Sequence, residues 1–164
     1  MRDHSYYSDD DIRGILRRCR TIAMVGASPK WVRPSFFAMK YLQAKGYRVI
    51  PVNPAAAGKD ILGETVHASL DAVPENFDMV DIFRGSEAAG AIVDEAIALK
   101  DTHGIDTVWM QLGVVNPEAA GRAEAAGLNV IMDRCPKIEY GRLSGELSWG
   151  GINSGIITAK ALKI

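Results

Sequence analysis

The stretch TIAMVGASPKWVRPS, residues 21–35, changes character at Gly26. Ahead of it lies a short run of apolar residues, the composition of a strand buried on both faces. Behind it Ser28, Pro29, Lys30, Arg33 and Pro34 make a polar, turn-rich loop. Phe36 to Lys45 then reads as a helix that Gly46 terminates. Strand, loop and helix in that order form one βα unit, and the rest of the chain repeats the unit on both sides of this one.

Upstream, Ser8 followed by Asp9, Asp10 and Asp11 is a helix start, with carboxylates at the positive end of the dipole and Ile12, Ile15, Leu16 and Cys19 as its apolar stripe. Downstream, Tyr47 to Val52 predicts a second strand whose Pro51 suits a strand end. A long turn-rich stretch follows, with one short helical turn at Ser69 to Val73. Asp78 to Phe83 is a third strand. Ser86 begins a helix with apolar residues at Ala89, Ile92, Val93, Ala96 and Ile97, closed by His103 and Gly104. Asp106 to Gln111, Pro117 to Ala126 and Leu128 to Met132 add a strand, a helix and a fifth strand. Such alternation requires parallel strands joined by right-handed crossovers. The expected fold is α/β: a Rossmann-like doubly wound parallel sheet of about five strands with helices on both faces. One domain is expected over residues 1–164, with its core at about 10–140 and a glycine-rich covering segment, unassigned in structure, at 141–164.

With 164 residues and 48% hydrophobic side chains, the chain can bury a core without disulfides or metal. Its net charge of −1, from 19 basic and 20 acidic residues, gives no global field to recruit nucleic acid or an anionic membrane. The amino terminus lacks a signal-peptide layout, and no apolar run approaches the ~18 residues that span a bilayer, so a cytoplasmic address is expected. Cys19 and Cys135 form no CxxC pair, and His4, His67 and His103 have no metal-ligand spacing. A small-molecule partner is expected; homodimerisation rests on fold habit alone.

In open α/β sheets ligands bind beyond the carboxyl ends of the strands, and the first βα turn is the usual seat of a diphosphate. Gly26 lets backbone approach a phosphate, Ser28 and Ser35 offer hydroxyls, the following helix offers free N–H groups, and Lys30 and Arg33 supply charge. An ordinary solvated loop has the same composition. The loop is not G-x-G-x-x-G, and after the second strand the chain has Asn53 and Pro54 where an NAD site places Asp or Glu. NAD is therefore disfavoured. Lys59, a few residues on, suits the additional ribose phosphate that NADP and coenzyme A both carry.

Taken in order, MVGASPKWVRPS, GYRVIPVNP, VDIFR, VWMQLGVVNPEA and AGLNVIMDRCP resemble the small, free-standing CoA-binding proteins related to the amino-terminal CoA-binding domain of succinyl-CoA synthetase α-subunits. The resemblance covers roughly residues 10–140. It implies a site for coenzyme A or an acyl-CoA in which Gly26, Ala27 and Ser28, with the loop through Lys30, Arg33, Pro34 and Ser35, hold the diphosphate. Asn53, Pro54 and Lys59 would take the ribose and its phosphate, Phe83 and Arg84 the adenine side, and Gln111 and Gly113 the pantetheine arm.

No catalytic constellation accompanies these residues. Cys135 beside Arg134 is a candidate nucleophile without a neighbouring histidine base, and a buried structural thiol is the competing reading. Asp133 and Glu139 read as solvated or capping groups. The synthetases in the resemblance make their thioester with a phosphorylatable histidine in a second domain, so the expected function here is non-catalytic binding or regulation. Two rivals are an NADP- or other nucleotide-dependent enzyme, and a protein-interaction module with a degenerate CoA site whose contact lies around Trp149.

Overall fold

The computed structural model describes residues 2–145. Ser8 caps the first helix, α1 (Asp9–Arg18), by accepting the Asp11 N–H at 3.1 Å, and the three aspartates occupy the first turn. Strand β1 (Thr21–Val25) leads through the loop into α2 (Pro34–Ala44), where proline at the first position has no N–H to lose. After β2 (Arg48–Val52) come a 3₁₀ turn at Pro54–Ala56 and a small antiparallel hairpin, β3 (Asp60–Ile61) with β4 (Glu64–Thr65). Then follow β5 (Met79–Ile82), α3 (Ser86–His103), β6 (Thr107–Met110), α4 (Pro117–Ala125), β7 (Asn129–Ile131) and α5 (Pro136–Leu143).

The five long strands form one sheet in the order β2-β1-β5-β6-β7, and every neighbouring pair is parallel. The doubly wound expectation therefore holds. Pro51 sits on the edge strand β2, where a missing N–H is tolerated. From β1 the chain runs outward to β2 and then returns across β1 to β5. The switch point thus lies between the carboxyl ends of β1 and β5, the place where such sheets hold ligands.

Alternate strand residues feed two cores. Ala23, Val25, Val80 and Ile82 face α3 and α4, which meet the sheet through small residues such as Ala89 and Ala120. Ile22, Met24 and Trp109 face the opposite layer, with Leu16 of α1, Met39 of α2 and Tyr140 of α5. On that second face the centre of β5 carries Asp81, fully buried and in register with Met24 and Trp109.

Three expectations change. Residues 136–143, which span the end of the expected core and the start of the glycine-rich segment and for which the sequence predicts no element, form α5; Gly141 is buried within it. The connection after β2 contains the β3–β4 hairpin, which the turn-rich sequence concealed. Ser69 to Val73 is a turn closed by Ala72 N–H to Ser69 O and Val73 N–H to Leu70 O, without a helix. The covering segment from residue 146 onward, including Trp149, lies outside the described residues.

Candidate functional site

At the end of β1 the Gly26 backbone has φ +90° and its N–H donates to Val52 O at 2.8 Å. A Cβ there would stand 2.3 Å from the Phe83 carbonyl oxygen. The glycine is thus demanded by the close approach of β1 and β5 at the switch point, whatever ligand lies above it. Beyond it the loop is tied down on both sides. Ser35 Oγ accepts the Ser28 N–H at 3.1 Å, and Ser28 Oγ accepts the Lys30 N–H at 3.2 Å. Asn53 donates to Ala27 O at 2.9 Å and accepts from Ala55 N–H at 3.0 Å, so both ends of this side chain are engaged within the protein.

Helix α2 starts directly over this loop. Arg33 occupies its N-cap without a side-chain cap bond, and the first turn contains no acid. Pro34 has no N–H and the Phe36 N–H already donates to Arg33 O at 3.0 Å, so the Ser35 N–H and the positive end of the dipole are what α2 offers an anion at the loop. Arg33 and Arg84 are both exposed. Several other arginines are tied to carboxylates, as Arg48 is to Glu64 and Glu75 and Arg122 to Asp94. Among the described residues neither Arg33 nor Arg84 has such a partner.

Three cavities adjoin along this carboxyl edge. The largest, about 730 Å³, runs between Phe83, Gln111, Gly113 and Cys135 and has an apolar mouth at Val32, Phe37 and Ile138. A second, about 360 Å³, is bounded by Gly26, Ser28, Arg33, Ser35 and Phe83. The third, about 290 Å³, lies between Val52, Pro54, Leu70, Arg84 and Ile92. Pro34 and Phe83 border the first and second, Gly26 the second and third, and Arg84 the first and third. The three lie side by side across the switch point.

Most sequence-predicted residues meet here, with different individual placements. Phe83 borders the first and second cavities, while Arg84 reaches the third. Lys30 and Lys59 are exposed and border none of the three; Ala27 is buried beneath the loop. Sequence reasoning missed the apolar mouth, because Val32 and Phe37 read as loop and helix filler and Ile138 belongs to the unanticipated α5.

The inner end of the largest cavity is braced by the chain after β7. Asp133 adopts a left-handed backbone, φ 56°, and accepts the Gly113 N–H at 2.8 Å. Trp109 Nε1 donates to Arg134 O at 2.8 Å, and Arg134 N–H donates to Met110 O at 3.3 Å. Glu139 is buried and accepts from Arg142 at 2.7 Å, so Asp133 and Glu139 have separate structural partners instead of solvent. These bonds hold Cys135 beside Gln111. Burial pushes the Cys135 thiol up, opposed by Gln111 and by the Ile138 and Lys137 amides of α5. Gln111 Oε1 is buried with no partner, as are both oxygens of Asp81, whose carboxyl burial pushes well above the usual range. No group of three or more His, Cys, Asp or Glu among the described residues could hold a metal ion.

A family model for the CoA binding domain matches residues 20–141, from the start of β1 into α5. The chain belongs to this CoA-binding family. The CoA binding domain therefore includes all three cavities and Cys135. Uncharacterized protein YneT of Bacillus subtilis (strain 168) is 35% identical over 133 residues, 81% of this chain and 94% of YneT. A hypothetical protein from Pyrococcus horikoshii OT3 superposes with a TM-score of 0.78 at 38% identity, covering 87% of this CoA binding domain protein and 96% of the other. A Thermus thermophilus protein, cell-free ID.343, gives 0.78 at 36% identity, with 84% and 99% covered. No helix among the described residues is long and apolar enough to cross a membrane.

Proposed function

We propose that this protein holds coenzyme A or an acyl-CoA extended along the carboxyl-edge cleft, as a binding or regulatory protein that does not itself transform the ligand. The observation that carries the reading is the adjacency of three cavities along this edge: an apolar chamber, an anion seat and a smaller apolar chamber. A nucleotide diphosphate joined to a long thiol-ended arm has that same sequence of chemistries. The diphosphate rests over Gly26, Ser28 and Ser35 at the α2 N-terminus, countered by Arg33. The adenosine end lies toward Pro54 and Arg84. The pantetheine arm enters the largest cavity past Phe83, where the partnerless Gln111 Oε1 accepts from an amide N–H. Phe83 thereby flanks the arm instead of the base, and Asn53 supports the loop.

A holding role fits the inner end of the cavity, where burial favours the neutral thiol of Cys135. A buried, protonated thiol is a weak nucleophile, and no histidine among the described residues lines the cavity to serve as its base. Mass spectrometry of ligand released from the purified protein, followed by thermal shifts with CoA, acetyl-CoA, NADP, NAD and ATP, tests the reading. Ligand at 100 times its dissociation constant adds about 2.7 kcal/mol of stability. A clear CoA shift, abolished in Arg33→Glu, is expected; no CoA shift, or an equal one with NAD, overturns it.

A further inference from the structure

We infer that Cys135 is a capture site for oxidised coenzyme A, forming a reversible mixed disulfide with the pantetheine sulfur at the inner end of the largest cavity. The inference rests on the CoA reading above. Three features of the molecule carry it. Cys135 borders the chamber that the arm enters, although the residue is only 7% exposed. Gln111, 8% exposed, borders the same chamber beside Cys135, and its buried carbonyl oxygen has no partner in the protein, leaving an acceptor for a ligand donor. The turn carrying Cys135 is fixed by the Asp133, Arg134 and Trp109 bonds, so its backbone holds Cys135 at the wall of the chamber.

The reaction is thiol–disulfide exchange. Cys135 gives up its proton, and its sulfur attacks the pantetheine sulfur of a disulfide between CoA and a second thiol. The disulfide bond of the ligand breaks as the Cys135–pantetheine bond forms. The departing thiolate takes up a proton, so Cys135 is oxidised and the second thiol reduced. Burial makes Cys135 a poor nucleophile toward disulfides in bulk solvent. A disulfide delivered by the nucleotide is held against it at high effective concentration, which gives selectivity for CoA. Cys19, the other thiol, is buried against Asp106 and Thr107, its pKa pushed up to about 12, and borders none of the three cavities.

The test incubates the reduced full chain with CoA–glutathione mixed disulfide, reads intact mass without reductant, and maps the modified peptide. One CoA adduct on Cys135 is expected, removed by dithiothreitol and absent from Cys135→Ser whose fold is checked by circular dichroism. It should form at least roughly 100-fold faster than modification by glutathione disulfide, which has the same reactive bond and no nucleotide. A glutathione adduct on Cys135, an adduct on Cys19, or equal rates with the two reagents overturns the inference. So does the absence of an adduct from a protein that reduced CoA still stabilises thermally, and in that case the binding reading stands. If reduced CoA gives no thermal shift, both fall.

Discussion

A Cβ on Gly26 would meet the Phe83 carbonyl oxygen at 2.3 Å, in a backbone already at φ +90°. The obstructing atoms are backbone at the meeting of two central strands, so neither side can yield cheaply. Gly26→Ala should cost roughly 3 kcal/mol or more in urea unfolding, whether or not CoA is present. The glycine is visible in the sequence, but its partner is contributed by a different strand and no local pattern names it. Asp81 offers the complementary case. Its carboxyl has a folded pKa raised by burial, so its contribution is fully present below the ordinary value near 3.8 and is lost as pH rises toward the folded pKa. Asp81→Asn, neutral at every pH, should therefore gain stability relative to the parent as pH increases from 4 to 8, while the two stay close at pH 4. Denaturant midpoints across that range check the sign; a constant difference would mean that the Asp81 carboxyl has the same pKa in the folded and unfolded states.

Among elements, the β1–α2 loop owes its shape to β2 as much as to its own residues. Asn53, just past β2, bonds Ala27 O and the Ala55 N–H together. Asn53→Ala removes both bonds and should lower stability by about 1–2 kcal/mol. It should also weaken CoA binding in calorimetry through a loosened anion seat, with ribose contacts playing no part in the loss. The strands and helices that alternate with clear apolar periodicity were legible in sequence to within a residue or two, because both cores draw on that periodicity. Helix α5 was not legible. It is short, contains Gly141, and runs into a segment whose glycines mask its start, yet Tyr140 and Glu139 are buried. The β3–β4 hairpin, two residues per strand, offers too few alternations for any pattern to form. The site inherits this division. Its anion seat, built on β1 and α2, was readable from Gly26, Ser28, Arg33 and Ser35, whereas the wall made by α5 was not.

For the molecule as a whole, a net charge of −1 cannot draw a polyanion from a distance. Attraction to CoA must come from the few cations at the cleft, and from those left without carboxylate partners. Arg84 borders both apolar chambers, while Arg48 lies at the amino end of β2, bound to Glu64 and Glu75. Arg84→Gln should weaken CoA about 10-fold, the size of one charge-assisted hydrogen bond of roughly 1.5 kcal/mol. Arg48→Gln should leave the affinity alone. Screening adds an independent check. The Debye length falls from about 10 Å at 0.1 M salt to about 3 Å at 1 M, so only exposed charge contacts are lost over that range. Calorimetric titrations should find CoA affinity falling with salt for the parent and falling less steeply for Arg84→Gln, because one exposed contact has already gone. Equal salt slopes would place Arg84 outside the anion contacts and leave the charge recognition to Arg33 and the α2 N-terminus.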